Sequence, residues 1–232
     1  MEDRYNEIRT YVNNKLEIID KINDCELKSS CLFILLECFA QEYGNYSRNN
    51  NREVFSNFLN TFLDKCLVDE LNLIDPITLY YSCEKLRGAF CLDDCGFLDD
   101  SYVYAPNQMR KQCSNILESC DSCVVNCSKR KTHRYIDLLY TYRNKLSHEM
   151  KAPAYMLKPW NDHEHISYFY ISKFNIDANT GSSLDDIGFW NLIFPYKYLK
   201  NLFSKAIMSY VAYCENKSVD PFINDKKTGK NS

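Results

Sequence analysis

The feature that most constrains the fold is the recurrence of apolar residues every three or four positions along most of the chain. Between residues 4 and 23, for example, Ile8, Val12 and Leu16 fall on one face of a helix. Only six glycines and six prolines interrupt the 232 residues, which favours long helices over a loop-rich structure. The sequence therefore predicts a mainly α fold, organised as a helical bundle.

Two local signals place further helices. Residues 31–36 are apolar on every side, which is typical of a helix at the centre of a bundle. We expect Ser29 or Ser30 to cap that helix and Gly44 to end it. An Asp-Pro pair at residues 75–76 predicts another helix start, because Asp caps helices well and proline is tolerated at the first helical position.

A short β segment is predicted near the C-terminal end of the chain. Residues 165–172 alternate and are rich in aromatic side chains, which indicates a strand, and residues 155–157 are its predicted partner. Together they predict a small β-hairpin insertion at about residues 154–173, before the last helix. That helix is predicted at about residues 189–215, with Pro195 either kinking it or marking its start. We expect residues 1–216 to form a single helical domain and residues 217–232 a disordered tail.

Charge and apolar runs bear on partners and compartment. The formal net charge of −3 argues against a protein that binds polyanions over its whole surface. The first twenty residues are charged and lack the apolar core of a signal peptide. The longest apolar run is interrupted by Glu37, far short of the roughly 18 residues that cross a bilayer. We therefore expect a cytoplasmic protein without membrane association, whose twelve cysteines are reduced.

One group of cysteines has the spacing of a metal site. The group consists of Cys113, Cys120, Cys123 and Cys127. On a helix the last three share one stripe, so a buried apolar seam is favoured over zinc ligation, and we predict neither a metal nor a cofactor. Cys91 and Cys95 offer a second half-site, so the zinc alternative stays open.

The richest chemistry lies in residues 135–149, which are predicted to be helical. At 100° per residue, one face carries the apolar residues Ile136, Leu139, Tyr142 and Leu146 and is expected to pack on the bundle. An adjoining face carries Arg143, Asn144 and His148, and the long Arg143 side chain is expected to turn towards the other two. One helix thus presents a guanidinium, an amide and an imidazole to the same space.

These three groups suit the cleavage of a phosphodiester without a metal. Histidine transfers protons near neutral pH, and arginine stabilises the charge that develops on phosphate oxygens. Asn144 is expected to orient the imidazole or the substrate. In RNA the 2′-OH is a built-in nucleophile, so the site has only to move protons and hold the phosphate. One histidine cannot easily carry out both proton transfers, which favours a site that is shared by two copies of the chain.

The segment Arg143-Asn144-Lys145-Leu146-Ser147-His148 resembles the signature of the HEPN superfamily, Arg-x4–6-His, in which Asn, Asp or His commonly follows the Arg. The resemblance implies a HEPN-like helical bundle that forms a homodimer, in which two motifs meet in one composite, metal-independent endoribonuclease site. It implies Arg143, Asn144 and His148 as catalytic residues and RNA as the substrate.

The resemblance also implies a biological setting. Such proteins act as toxins, antiphage defence effectors and parts of CRISPR-linked nucleases, which implies an antitoxin or another defence protein as a partner. Other members of the superfamily are non-catalytic interaction modules or bind nucleotides, and this is the alternative function.

A basic cluster precedes the motif. The residues predicted to contact RNA are Lys129, Arg130, Lys131, Arg134 and Lys145. Positive charge at a helix start opposes the helix dipole, so a site for RNA phosphates is one explanation for the first four. A solvated helix end is the other explanation, and the sequence does not separate the two.

Overall fold

The computed structural model describes residues 2–44, 51–89, 92, 105–121, 131–151, 153, 156, 163–171, 175–176, 183–184 and 189–222. The helices are α1 (Glu2–Asp20), α2 (Cys25–Tyr43), α3 (Asn51–Phe62), α4 (Lys65–Leu71), α5 (Pro76–Ser82), α6 (Glu84–Ala89), α7 (Pro106–Gln112), α8 (Ser114–Asp121), α9 (Tyr135–Glu149) and α10 (Tyr196–Lys217). The strands are β1 (Ser167–Ile171), β2 (Asn175–Ile176), β3 (Ser183–Leu184) and β4 (Phe189–Ile193). The prediction of a mainly α protein is confirmed, and short antiparallel strand pairs precede the last helix.

Helix α2 lies at the centre of the bundle and packs against α1, α3, α9 and α10. Its Phe33 ring lies 6.3 Å from the ring of Phe55, 6.0 Å from that of Tyr142 and 5.0 Å from that of Phe203, measured between centroids. These three rings belong to α3, α9 and α10, so one side chain joins four helices. The predicted central position of residues 31–36 is therefore confirmed.

The start of α2 differs from the prediction. Asp24 is the N-cap, and its carboxylate accepts a hydrogen bond from the Leu27 backbone N–H at 2.7 Å. Ser29 and Ser30 lie inside the helix, where their hydroxyls donate to the carbonyl oxygens four residues earlier, both at 2.9 Å. The prediction of a serine cap was wrong because serine satisfies its hydroxyl equally well within a helix. The predicted end at Gly44 is confirmed.

Strand β1 confirms the predicted strand, but its partner is β4, in an antiparallel register that places Phe169 opposite Asn191. Of the predicted partner at residues 155–157, Tyr155 and Leu157 lie outside the described residues, and Met156 makes an isolated parallel bridge with Leu192 of β4. The last helix begins at Tyr196 after the N-cap Pro195, so the alternative in which Pro195 marks its start is confirmed. Residues 189–193, which the longer version of the prediction placed in this helix, form β4 instead. A segment of five residues, four of them apolar, does not distinguish helix from strand by periodicity, and this explains the error.

A buried carboxylate joins this sheet to the helices. Asp75 is fully buried and caps α5 by accepting from the backbone N–H groups of Ile77 and Thr78, at 3.4 and 2.8 Å. The Tyr168 hydroxyl of β1 donates to the same carboxylate, and it is also hydrogen-bonded to the Tyr135 hydroxyl at the start of α9. Burial raises the pKa of Asp75 above its usual value, and these donors oppose that shift by stabilising the charged form.

The C-terminal boundary lies a few residues later than predicted. Helix α10 ends at Lys217, but the Phe222 ring still packs against Phe39 with its centroid 5.2 Å away. The Tyr210 hydroxyl donates to the carbonyl oxygen of Pro221 at 3.0 Å. Pro221 and Phe222 therefore pack against the helices, and residues 223–232 of the predicted tail lie outside the described residues. Within the described ranges, none of the helices has the length and apolar character needed to cross a membrane.

The Asp75 network gives a stability prediction. Replacing Tyr168 by Phe removes a donor from a buried carboxylate, so we expect the free energy of unfolding to fall by about 1–3 kcal/mol in urea denaturation. The lost hydrogen bond favours the carboxylate over the acid, so this deficit should grow as pH rises through the folded-state pKa of Asp75. Tyr213→Phe, at a ring that is 47% exposed, is the control and should change stability by less than about 0.5 kcal/mol. An equal effect of the two variants would contradict the prediction.

Candidate functional site

Helix α9 carries the candidate site, and its buried face is the one that the sequence predicts. Ile136, Leu139, Tyr142 and Leu146 are all fully buried. At the start of the helix, the Tyr135 backbone N–H donates to the Leu73 carbonyl oxygen at 3.0 Å, which ties α9 to the segment before α5. At its end, Met150 adopts a left-handed conformation with φ of 50°. The opposite face of α9 is partly exposed, and most of its last turn lies in solvent.

Arg143 is held on two sides. Its Nη1 donates to the Asn144 side-chain oxygen at 2.8 Å, and its Nη2 forms an ion pair with the carboxylate of Glu37 on α2. The guanidinium carbon lies 5.9 Å from the centroid of the Tyr140 ring, within the range of a cation–π contact. The Arg143 and Glu37 side chains are only 18% and 19% exposed. The site therefore holds an arginine whose position is fixed before any ligand arrives.

His148 stands apart from this pair. It follows Arg143 by five residues, which on a helix is a rotation of about 140° and a rise of about 7.5 Å. The side chain is exposed in the last turn, and the described part of the chain offers it no hydrogen bond or ion pair. The structure brings Arg143 and Asn144 together as predicted, but Arg143 turns towards Glu37 and not towards His148.

Glu37 is the member of this site that the sequence did not identify. It follows the apolar residues 31–36 on a helix that is buried for most of its length. A carboxylate in such surroundings is costly without a partner, so its position was a signal that a cation lies opposite. The sequence did not indicate which cation, because the two residues are separated by 106 positions.

Glu37 also lines an open groove of about 850 Å³ between α1 and α2. The other lining residues include Glu7, Tyr11, Ile34 and Phe222. Glu42 contributes a third carboxylate to this lining, while among the described residues Arg4 is the one arginine or lysine that lines it. Carboxylates repel phosphates, so this groove is poorly suited to an RNA backbone.

Of the predicted RNA-contacting residues, Arg134 has a structural role. Its Nε donates to Asp137 at 2.7 Å and its Nη1 to the Asn72 side chain at 3.2 Å. Asp137 is 4% exposed and also accepts from Arg52 of α3 at 2.8 Å. Two arginines thus compensate one buried carboxylate, and Arg134 fixes the first turn of α9 whether or not it also meets RNA.

The other basic residues are less constrained or lie outside the described residues. Lys129 and Arg130 fall outside them, and of Lys131 the structure describes only the backbone, in a short 3₁₀ turn. Lys145 is ion-paired with Glu149, which also contacts Lys151 at 2.9 Å. Hydrogen bonds from these two lysines, that of Lys145 above all, lower the pKa of Glu149 to about 2. Next to the motif, one carboxylate therefore offsets part of the lysine charge at neutral pH.

Of the cysteine group with the spacing of a zinc site, the structure describes only the side chain of Cys113. The thiol of Cys113 is buried and lies 3.8 Å from the Met109 sulfur, as expected of a cysteine in the core. Both ring nitrogens of His133 are within hydrogen-bond distance of hydroxyls, those of Thr78 at 3.2 Å and Ser82 at 3.0 Å. No group of three or more His, Cys, Asp and Glu suited to hold a metal occurs in the described ranges. The side chains of Cys120, Cys123 and Cys127 lie outside them.

No family model, curated protein or solved structure matches this chain. A function for this protein must therefore be inferred from the residues themselves, from their placement along α9 and from the contacts that Arg143 makes.

The two described basic candidates are expected to differ in their effect on stability. Arg134→Ala leaves the buried Asp137 with only Arg52, and we expect the free energy of unfolding to fall by about 1–2 kcal/mol. Lys145→Ala removes only an exposed ion pair and should change it by less than about 0.5 kcal/mol. Urea denaturation of both variants measures the difference. Equal stabilities would show that the contacts of Arg134 do not support the fold.

Proposed function

We propose that this protein is a HEPN-like, metal-independent endoribonuclease that acts in the cytoplasm as a toxin or an antiphage defence effector. The observation that supports this most is the fixed position of the Arg143 guanidinium, which is held by Asn144 of α9 and by Glu37 of α2. The exposed His148 lies on α9 as well, about one turn beyond Asn144. An arginine whose position is already fixed loses little freedom when it binds a phosphate. The exposed imidazole of His148 beyond it is accessible to a substrate.

In the proposed reaction, the 2′-oxygen of a ribose attacks the adjacent phosphorus. A base takes the 2′-OH proton, the bond from phosphorus to the 5′-oxygen breaks, and an acid protonates the departing 5′-oxygen. The products are a 2′,3′-cyclic phosphate and a 5′-OH end. Arg143 stabilises the negative charge on the phosphoryl oxygens, and His148 carries one of the two proton transfers.

The second proton transfer is assigned to a second copy of the chain. His148 lies in the exposed last turn of α9, so a neighbouring protomer has access to it. A twofold axis near this turn would place two Arg143–His148 pairs around one phosphate, with one histidine as base and the other as acid. Lys145 and the basic residues before α9 would contact flanking RNA phosphates.

The alternative is a non-catalytic HEPN module that binds a protein or a nucleotide. The ion pair of Arg143 with Glu37 is the observation that favours it, because a carboxylate already occupies part of the arginine's binding capacity. This alternative predicts no cleavage of any RNA. The two functions are therefore separated by one activity measurement.

That measurement is RNA cleavage in the presence of EDTA. We expect the wild type to cut RNA into fragments that end in 2′,3′-cyclic phosphate, and to leave a substrate with 2′-deoxyribose at the cut site intact. His148→Ala should lower the single-turnover rate by about 10²–10⁴-fold, and Arg143→Ala by about 10²–10³-fold.

His165→Ala is the matched control, since it removes another exposed histidine outside the motif and should cut at the wild-type rate. Cleavage by His148→Ala at the wild-type rate would exclude the proposed mechanism. No cleavage by the wild type across a broad RNA panel would favour the non-catalytic alternative.

A mixing experiment tests the composite site. Homodimers of Arg143→Ala and of His148→Ala are each expected to cut at the lowered rates given above, since each lacks both copies of one residue. If one phosphate is served by both protomers, exchange between the two variants should raise the rate above that of either homodimer, because the mixed site keeps one arginine and one of its two histidines. Sedimentation of the wild type should show a dimer. A monomer that cleaves RNA at full rate would contradict the shared site.

A further inference from the structure

We infer that Glu37 is a positioning residue of the proposed ribonuclease site, holding the Arg143 guanidinium in the orientation that receives the scissile phosphate. This inference rests on the proposed function. It extends the site from α9 to α2, a helix that lies more than a hundred residues earlier in the chain.

The hydrogen bonds of Arg143 show how it is held. A guanidinium has five N–H groups, and the two contacts with Asn144 and Glu37 engage one on Nη1 and one on Nη2. The Nε atom is buried and, within the described part of the chain, has no hydrogen-bond partner. Two corners of the planar group are therefore fixed, while each terminal nitrogen keeps one N–H for a ligand.

The position of Glu37 is itself well fixed. Its neighbours Leu36 and Phe39 are completely buried, and α2 packs against four other helices. A carboxylate on a helix that packs against four others is a rigid reference point for a long, flexible side chain. Asn144 alone cannot provide this, because it lies on the same helix as Arg143 and moves with it.

Stability gives a poor account of this pair. Partly buried ion pairs lose solvation on folding, and apolar replacements of similar volume are often as stable or more stable. A fixed arginine is useful, however, when it must bind a phosphate, because little further side-chain freedom is lost on binding. The pair is thus better explained by the orientation that it imposes on Arg143.

The opposite role is that of a latch, in which Glu37 competes with the phosphate for Arg143. The simultaneous hydrogen bond to Asn144 favours positioning, because a latch would need to hold only one side of the guanidinium. The two roles predict opposite effects when the charge is removed. Glu37→Gln keeps the shape of the side chain but removes the negative charge that pairs with Arg143.

Single-turnover RNA cleavage by Glu37→Gln tests the inference. We expect the maximal rate to fall by about 10–100-fold with little change in RNA affinity, because misplacement of a group by about 1 Å has effects of this size. Glu37→Asp keeps the carboxylate on a shorter stem and should recover part of the rate. Glu7→Gln, which removes a carboxylate from the same groove without touching Arg143, should cut as the wild type does.

Double substitution separates positioning from a general loss of folding. In an Arg143→Lys background, Glu37→Gln should cause little further loss of rate, because its effect passes through Arg143. An additive loss would overturn the inference, as would an unchanged or raised rate in Glu37→Gln alone. If Glu37→Gln does not fold, Glu37→Asp replaces it, once with the wild-type Arg143 and once with Arg143→Lys. A loss of rate in the first protein and little further loss in the second would support positioning, and an additive loss would overturn it.

An experiment without RNA distinguishes failure of this inference from failure of the proposed function. Nitrogen-15 NMR should show a slowly exchanging Nε–H for Arg143 in the wild type, identified by its loss in Arg143→Lys, and fast exchange in Glu37→Gln. A wild type that cuts no RNA would reject the ribonuclease function, while the exchange rates still report whether Glu37 holds Arg143. Equal exchange in both proteins would overturn the positioning role even if RNA is cut.

Discussion

The packing of Phe33 is the contact on which the rest of the structure depends. Its ring meets Phe55 of α3, Tyr142 of α9 and Phe203 of α10, so three helices are fixed around one point of α2. Aromatic residues bury large areas, and truncation of a fully buried phenylalanine costs about 3–5 kcal/mol. Tyr142 immediately precedes Arg143, so this packing sets how α9 is rotated about its axis. The rotation determines that Arg143 faces α2.

A second, polar anchor holds the N-terminal end of the same helix. The Tyr135 hydroxyl reaches Tyr168, whose hydroxyl donates to the buried carboxylate of Asp75. An aromatic contact in the middle and a hydrogen-bond network at the start therefore fix α9 along most of its length. Its last turn, with His148, extends into solvent. A rigid helix with an exposed end is a suitable support for a site that is completed by a second molecule.

The ion pair of Arg143 with Glu37 links the packing of α9 on α2 to the chemistry that is proposed for the site. The pair is largely shielded from water, so its attraction is stronger than that of an exposed pair, and its geometry is set by two packed helices. Lys145 and Glu149 form a pair two to six residues further along, but that pair is exposed and lies within one helix. The contrast explains why Arg143 is fixed while its basic neighbour can still adapt to a ligand.

The sequence by itself determined the mainly α fold and the buried face of α9, because both follow from local helical periodicity. It also indicated that the long Arg143 side chain can turn towards its neighbour Asn144. Only the tertiary structure decided that Glu37 meets Arg143, that β1 pairs with β4, and that Arg134 serves the buried Asp137. In each case the sequence pattern leaves open which group is the contact partner, and the packing of the helices and strands decides it. Periodicity assigns a residue to a face, but the partner opposite that face depends on how the helices and strands are arranged in space.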